Sequence, residues 1–179
     1  MNKRIKKITI LSITVAILAI IAPISINVSL IPFNLSLFII FIISSIFSLK
    51  DSLIIILLYI ILGLIGLPVF AGYVNAYEAL SSISGGFILG FIPCIISINL
   101  IQKINKNSYI ITFASMFVGL VLCYLLGIIH FMLLTSSSII YAFSVAILPF
   151  IFIDLLKIII ACIITFTLNN KTKIMDSIK

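Results

Sequence analysis

Six stretches of the chain, near residues 8–26, 35–48, 52–67, 85–101, 109–130 and 149–168, are almost wholly apolar. At a rise of 1.5 Å per residue, about 20 such residues cross the hydrocarbon core of a bilayer. A soluble domain of 179 residues needs a polar coat, yet 8% of this chain is charged, against roughly 25% in soluble domains. With 64% hydrophobic residues and a mean hydropathy of +1.48, most of the chain must have lipid as its solvent. The expected fold is an all-α integral membrane protein, with six transmembrane helices in a single domain over residues 1–179. The second run is short, and the break before the third, Ser48-Leu49-Lys50-Asp51-Ser52, is a tight polar turn.

The few charges sort by side. If the N-terminus is cytoplasmic, Lys3, Arg4, Lys6, Lys7, Lys50, Lys103, Lys106, Lys171, Lys173 and Lys179 all fall inside, Lys157 falls within the membrane, and the outer loops carry no basic residue. The positive-inside rule therefore predicts that both termini are cytoplasmic, in a multi-pass protein of the cell membrane. The formal net charge of +7 reports topology and attraction to anionic lipid headgroups rather than a nucleic-acid partner. The basic flank and apolar run at the start resemble a secretory signal, but are read here as a retained first helix.

Several chemistries lack their residues. No phosphate-binding G-x-x-x-x-G-K-[ST] loop, H-E-x-x-H motif or hydrolytic Ser, His and Asp set occurs. Cys94, Cys123 and Cys162 sit singly in apolar runs, which suits packing rather than a metal site. The expectation is a protein that is not an enzyme and holds neither metal nor cofactor.

Against that background, Asp154 and Lys157 stand out in the run ILPFIFIDLLKIIIACIITF. Three residues apart on a helix they lie about 60° apart around the axis, on one face. With Pro149 in the first turn, Asp154 would sit roughly one turn, and Lys157 roughly two turns, below the outer boundary. Each charge costs on the order of 2.5–3.5 kcal/mol at a helix centre, less nearer the interface. One reading is a self-neutralising internal ion pair; the other is a ligand site in which Asp accepts and Lys donates to a neutral polar head. Outside loops 66–84 and 133–143 are long enough to fold over a cavity. Tyr73, Asn75, Tyr77 and Glu78 lie in the first, and His130 ends the fifth run, where an interfacial or internally hydrogen-bonded histidine is expected rather than a ligand.

The runs YIILGLIGLPVFAG (59–72), SGGFILGFIP (84–93), YLLG (124–127) and LPFIFIDLLK (148–157) resemble, in order and spacing, the BioY family, the biotin-binding S-components of energy-coupling-factor (ECF) transporters. The resemblance covers the last four helices well and the N-terminal third more faintly, through IPFNLSLF (31–38). It implies a six-helix S-component fold that captures biotin at the outer face. It also implies docking on a transmembrane coupling subunit, driven by two separate ATP-binding cassette ATPases. The family's ligand pair matches Asp154 and Lys157, placed at the ureido end of biotin. Gly72 falls on the first loop glycine, while Tyr73-Val74-Asn75-Ala76-Tyr77 replaces a Gly-rich segment; Asn75 lies near a ligand-contacting asparagine of some members. The implied substrate-binding set is thus Asp154, Lys157, Asn75, Tyr73 and Gly72. Ile153 replaces a glycine beside the aspartate, and His130 a frequent tryptophan.

For docking, the family uses small residues on the first helix. Ser12, Ala16, Ala19 and Ala22, at spacings of four and three, form such a stripe, on which another helix can pack closely. Packing within the bundle is the alternative. A related small heterocyclic vitamin as substrate, or a non-transport intramembrane role, are the competing functional readings.

Overall fold

The computed structural model describes residues 3–27, 30–105 and 108–171. Its elements are α1 (Lys3–Ile21), β1 (Ser25–Asn27), β2 (Pro32–Asn34), α2 (Ser36–Ile46), α3 (Leu49–Leu64), α4 (Ala76–Ser81), α5 (Gly85–Gln102), α6 (Tyr109–Thr135), α7 (Ile139–Ala146) and α8 (Ile151–Lys171). The six apolar runs correspond to α1, α2, α3, α5, α6 and α8. Gly85–Gln102, Tyr109–Thr135 and Ile151–Leu168 are each long and apolar enough to cross a membrane. Lys106, Lys173 and Lys179, three of the residues assigned to the inside, lie outside the described residues.

The differences from expectation cluster at one end and have local causes. Helix α1 stops at Ile21 rather than running to residue 26, because Pro23 has no N–H to continue the ladder. The chain then forms an antiparallel hairpin in which Ile26 pairs with Phe33. Helix α6 runs past His130 to Thr135, and the second outer loop contains α7. Pro149 does not enter the first turn of the last helix. The N–H groups of Ile147 and Leu148 both donate to the Phe143 carbonyl, at 3.1 Å each, which closes α7 and leaves Pro149 in the turn that precedes α8. Helix α8 therefore begins later than expected, and Asp154 falls in its first turn, where a carboxylate suits the positive end of the helix dipole.

The hairpin of α5 and α6 forms the spine. Their glycines let the backbones meet: a Cβ added at Gly90 would stand 2.8 Å from the Cys123 Cα. At one end of the bundle Lys7 Nζ lies 2.7 Å from Asp51 Oδ1, and Gln102 Nε2 donates to Ser45 Oγ at 2.8 Å and to Ser115 Oγ at 3.1 Å. These contacts gather the α1 start, the α2–α3 turn and the α5–α6 turn on one side. Ser48 caps α3 by accepting from the Asp51 N–H and donating to its Oδ2, a reciprocal arrangement that suits the tight turn. The hairpin, α4, α7 and the starts of α5 and α8 occupy the opposite end.

Candidate functional site

That opposite end encloses a cavity of about 250 Å³. Most of its wall is apolar, as expected of a small-molecule pocket: Phe33 from the hairpin, Phe70 from the loop after α3, Phe87 and Phe91 from α5, and Phe150 ahead of α8. Asp154 and Lys157 of α8 supply the polar side, both on the cavity wall and both buried.

Their partners come from three other elements. Lys157 Nζ lies 2.7 Å from Asp154 Oδ1 and donates to the Asn34 carbonyl at 2.8 Å. It also stands 4.2 Å from the centroid of the Phe33 ring, a cation–π contact. Asp154 Oδ2 accepts from the Tyr124 hydroxyl of α6 at 2.5 Å. The Tyr124 ring is held edge-on by Phe87, with centroids 6.3 Å apart. Asp154 Oδ1 is buried, with the Lys157 ammonium as its close partner. A carboxylate oxygen has lone pairs for more than one donor, so Oδ1 can accept an incoming N–H while it stays paired with the ammonium.

The hairpin is positioned for this role. Asn34 Oδ1 accepts from the Ser36 N–H at 3.0 Å, which ties the end of β2 to the start of α2 and aims the Asn34 carbonyl at Lys157. The roof is tied down in the same way. Tyr59 of α3 donates to the Val69 carbonyl at 2.8 Å, and the Gly72 N–H donates to the Pro23 carbonyl at 2.9 Å. His130 Nε2 contacts the Ser82 carbonyl at 3.1 Å, an internal bond and the second of the two readings its position left open.

The structure brings Asp154 and Lys157 together on the wall but leaves Gly72, Tyr73 and Asn75 beside it, where Ala71 and Val74 are the lining residues. Gly72 and Tyr73 both adopt positive φ, 82° and 61°, in the turn closed by the Phe70–Val74 bridge. Asn75 caps α4, its side-chain oxygen accepting from the Glu78 N–H at 3.1 Å. Along the helix 1 stripe, Ser12 and Ala16 are exposed and Ala19 is half-buried; Ala22 lies past the end of α1 and is fully buried, so it packs inside the bundle. Cys94, Cys123 and Cys162 are free and buried.

Sequence reasoning missed Tyr124, Phe33 and the Asn34 carbonyl as parts of the site. The available signal for Tyr124 was chemical: a tyrosine within an apolar run needs a partner for its hydroxyl.

The model of the BioY family matches residues 1–173. The chain is 32% identical over 157 residues to the biotin transporter BioY of Thermotoga maritima, covering 87% of this chain and 90% of that protein. It is 28% identical over 164 residues to the biotin transporter BioY2 of Lactococcus lactis, covering 90% and 89%. Its fold matches a crystal structure of the S-component for biotin from an ECF-type ABC transporter. The TM-score is 0.88 at 19% identity, over 99% of this chain and 98% of that one. At that identity the likeness speaks for the fold.

Proposed function

This chain belongs to the BioY family, and from that premise we propose that it is the biotin-capturing S-component of an ECF-type importer, a multi-pass membrane protein that holds its substrate in the cavity beside α8. The observation that carries the reading is the buried Asp154–Lys157 pair, which presents a carboxylate and an ammonium side by side on the wall of an otherwise mostly apolar cavity. A ureido group carries N–H donors beside a carbonyl acceptor, the complement of that pair. The phenylalanine wall suits the fused rings and aliphatic tail.

The Tyr124 hydroxyl and the Asn34 carbonyl orient the two charges before ligand arrives, so little ordering is needed on binding. Gly72, Tyr73 and Asn75 form the turn over the cavity and contact the ligand when that turn closes. The two mirrored charges also explain why a pair of opposite sign persists in a membrane helix, where apolar substitutes would stabilise the bundle as well or better.

Transport needs energy from outside this chain. The coupling partner in this proposal is a transmembrane T-component carrying two ABC ATPases, and the face offered to it is the exposed part of α1 around Ser12 and Ala16, with Ala19 beside them. The purified chain binding labelled biotin saturably at submicromolar concentration, with dethiobiotin and unrelated vitamins as competitors, tests the substrate. No saturable binding, or equal displacement by an unrelated vitamin, overturns it.

A further inference from the structure

The charges around the cavity do not balance. Asp154 and Lys157 offset each other on α8, and Glu78 of α4 adds another carboxylate to the same wall. Among the described lining residues no second Lys or Arg answers it, and no His does either. The hydroxyls beside Glu78 are already used as donors. Ser82 Oγ donates to the Ala79 carbonyl at 2.7 Å, which leaves the Ser84 hydroxyl to donate to Ser82 Oγ across 2.8 Å. The Ser84 N–H also donates to Ser82 Oγ, at 3.3 Å. The polar side chains that line the cavity from Glu78 to Ser84 therefore offer it acceptors: the Glu78 carboxylate and the lone pairs of Ser84.

This arrangement bears on the far end of the ligand and rests on the biotin reading above. With the ureido ring at Asp154 and Lys157, a tail laid along the part of the same wall that Glu78, Ala79 and Ser84 line brings to them the carboxylate in which free biotin ends. Like charges meeting there oppose binding, and neither hydroxyl lining this segment is left over as a donor to compensate. We infer that Glu78 is a specificity-determining residue that favours biotin derivatives whose tail ends in an uncharged, N–H-bearing group, amide-linked biotin above all, over the free acid. A tail amide offers the N–H that Ser84 and Glu78 accept, and carries no charge to be repelled.

Competition on the purified full-length chain tests this. Labelled biotin is displaced by unlabelled biotin and by biotinamide, the primary amide of the same tail, at low and at high salt. Glu78 is exposed, so the expected preference for biotinamide is about 2- to 5-fold at low salt, shrinking as salt screens the carboxylate. Glu78→Gln removes the preference, chiefly by tightening biotin; Glu78→Lys reverses it. Biotin binding as tightly as biotinamide to the unaltered chain, or a preference that survives in Glu78→Gln, overturns the inference. Absence of any saturable binding of the label overturns the biotin assignment itself, a result distinct from binding without the preference.

Discussion

The Tyr124 hydroxyl donates to Asp154 Oδ2 at 2.5 Å, joining α6 to α8 across 30 residues of sequence. The bond occupies one carboxylate oxygen and directs the other, Oδ1, toward its ion pair with Lys157 and the cavity. Asp154 is thereby fixed in one orientation before any ligand is present.

Tyr124→Phe removes that bond while keeping the ring against Phe87. A hydrogen bond to a charged group contributes about 1.5–3 kcal/mol, so the variant is expected to fold but to bind biotin about 10-fold or more weakly. Equilibrium binding alongside a thermal melt in detergent separates the two effects. Unchanged affinity would remove Tyr124 from the site.

The ion pair makes a sharper prediction. Lys157→Met leaves Asp154 as a buried carboxylate with the Tyr124 bond alone, and Asp154→Asn leaves a buried ammonium on the Asn34 carbonyl. Breaking a buried pair from one side costs about 3–5 kcal/mol, whereas removing both charges is close to neutral. The double variant Asp154→Asn with Lys157→Met is expected to regain most of the thermal stability lost in either single variant. Biotin binding should stay abolished in all three, because stability and recognition draw on the pair differently. Recovery of binding in the double variant would mean that the pair serves packing alone.

How far the sequence revealed this arrangement depended on the range of the interaction. The long helices were readable because apolar length in a membrane is a property of composition, and the Asp154–Lys157 face because helical spacing is local. The hairpin was not readable: its strands are three residues each, and what holds β2 is a tertiary contact, Lys157 reaching the Asn34 carbonyl across 123 residues. Tyr124 was hidden for the same reason. Ile153 raised a question in the sequence, as a bulky residue beside the aspartate. It is 38% exposed while Asp154 is 5% exposed, because adjacent helix residues point about 100° apart, so its bulk faces away from the cavity.

Tyr73 combines a left-handed backbone with 65% exposure, so its side chain contributes little burial to offset the conformation. A non-glycine residue in that region is strained by about 1–2 kcal/mol, and Tyr73→Gly relieves this while adding unfolded-state entropy of about 0.4–1 kcal/mol. Thermal stability is therefore expected to hold or rise slightly. Affinity for biotin is expected to fall several-fold if the side chain folds onto bound ligand, and because stability does not fall, that loss reads the contact directly. An unchanged affinity would confine the role of Tyr73 to the turn.

Gln102 supplies the complementary case, a buried polar group remote from the cavity. Its amide donates to Ser45 of α2 and Ser115 of α6, tying three helices at the end opposite Asp154. In a low-dielectric interior such bonds hold register between helices, though each contributes only about 0.6–2 kcal/mol in a membrane bundle. Gln102→Leu deletes both bonds and leaves two serine hydroxyls short of a donor, with Ser115 still donating to the Thr112 carbonyl. The expected loss of stability is about 1–3 kcal/mol, and the expected biotin affinity is that of the unaltered chain. Combined with Tyr124→Phe, the two losses of stability should add, since the sites share no partner and Ser115 and Tyr124 stand about 13 Å apart along α6. A weakened affinity in Gln102→Leu, or a double variant whose losses fail to add, would show that the two ends of the bundle are energetically coupled.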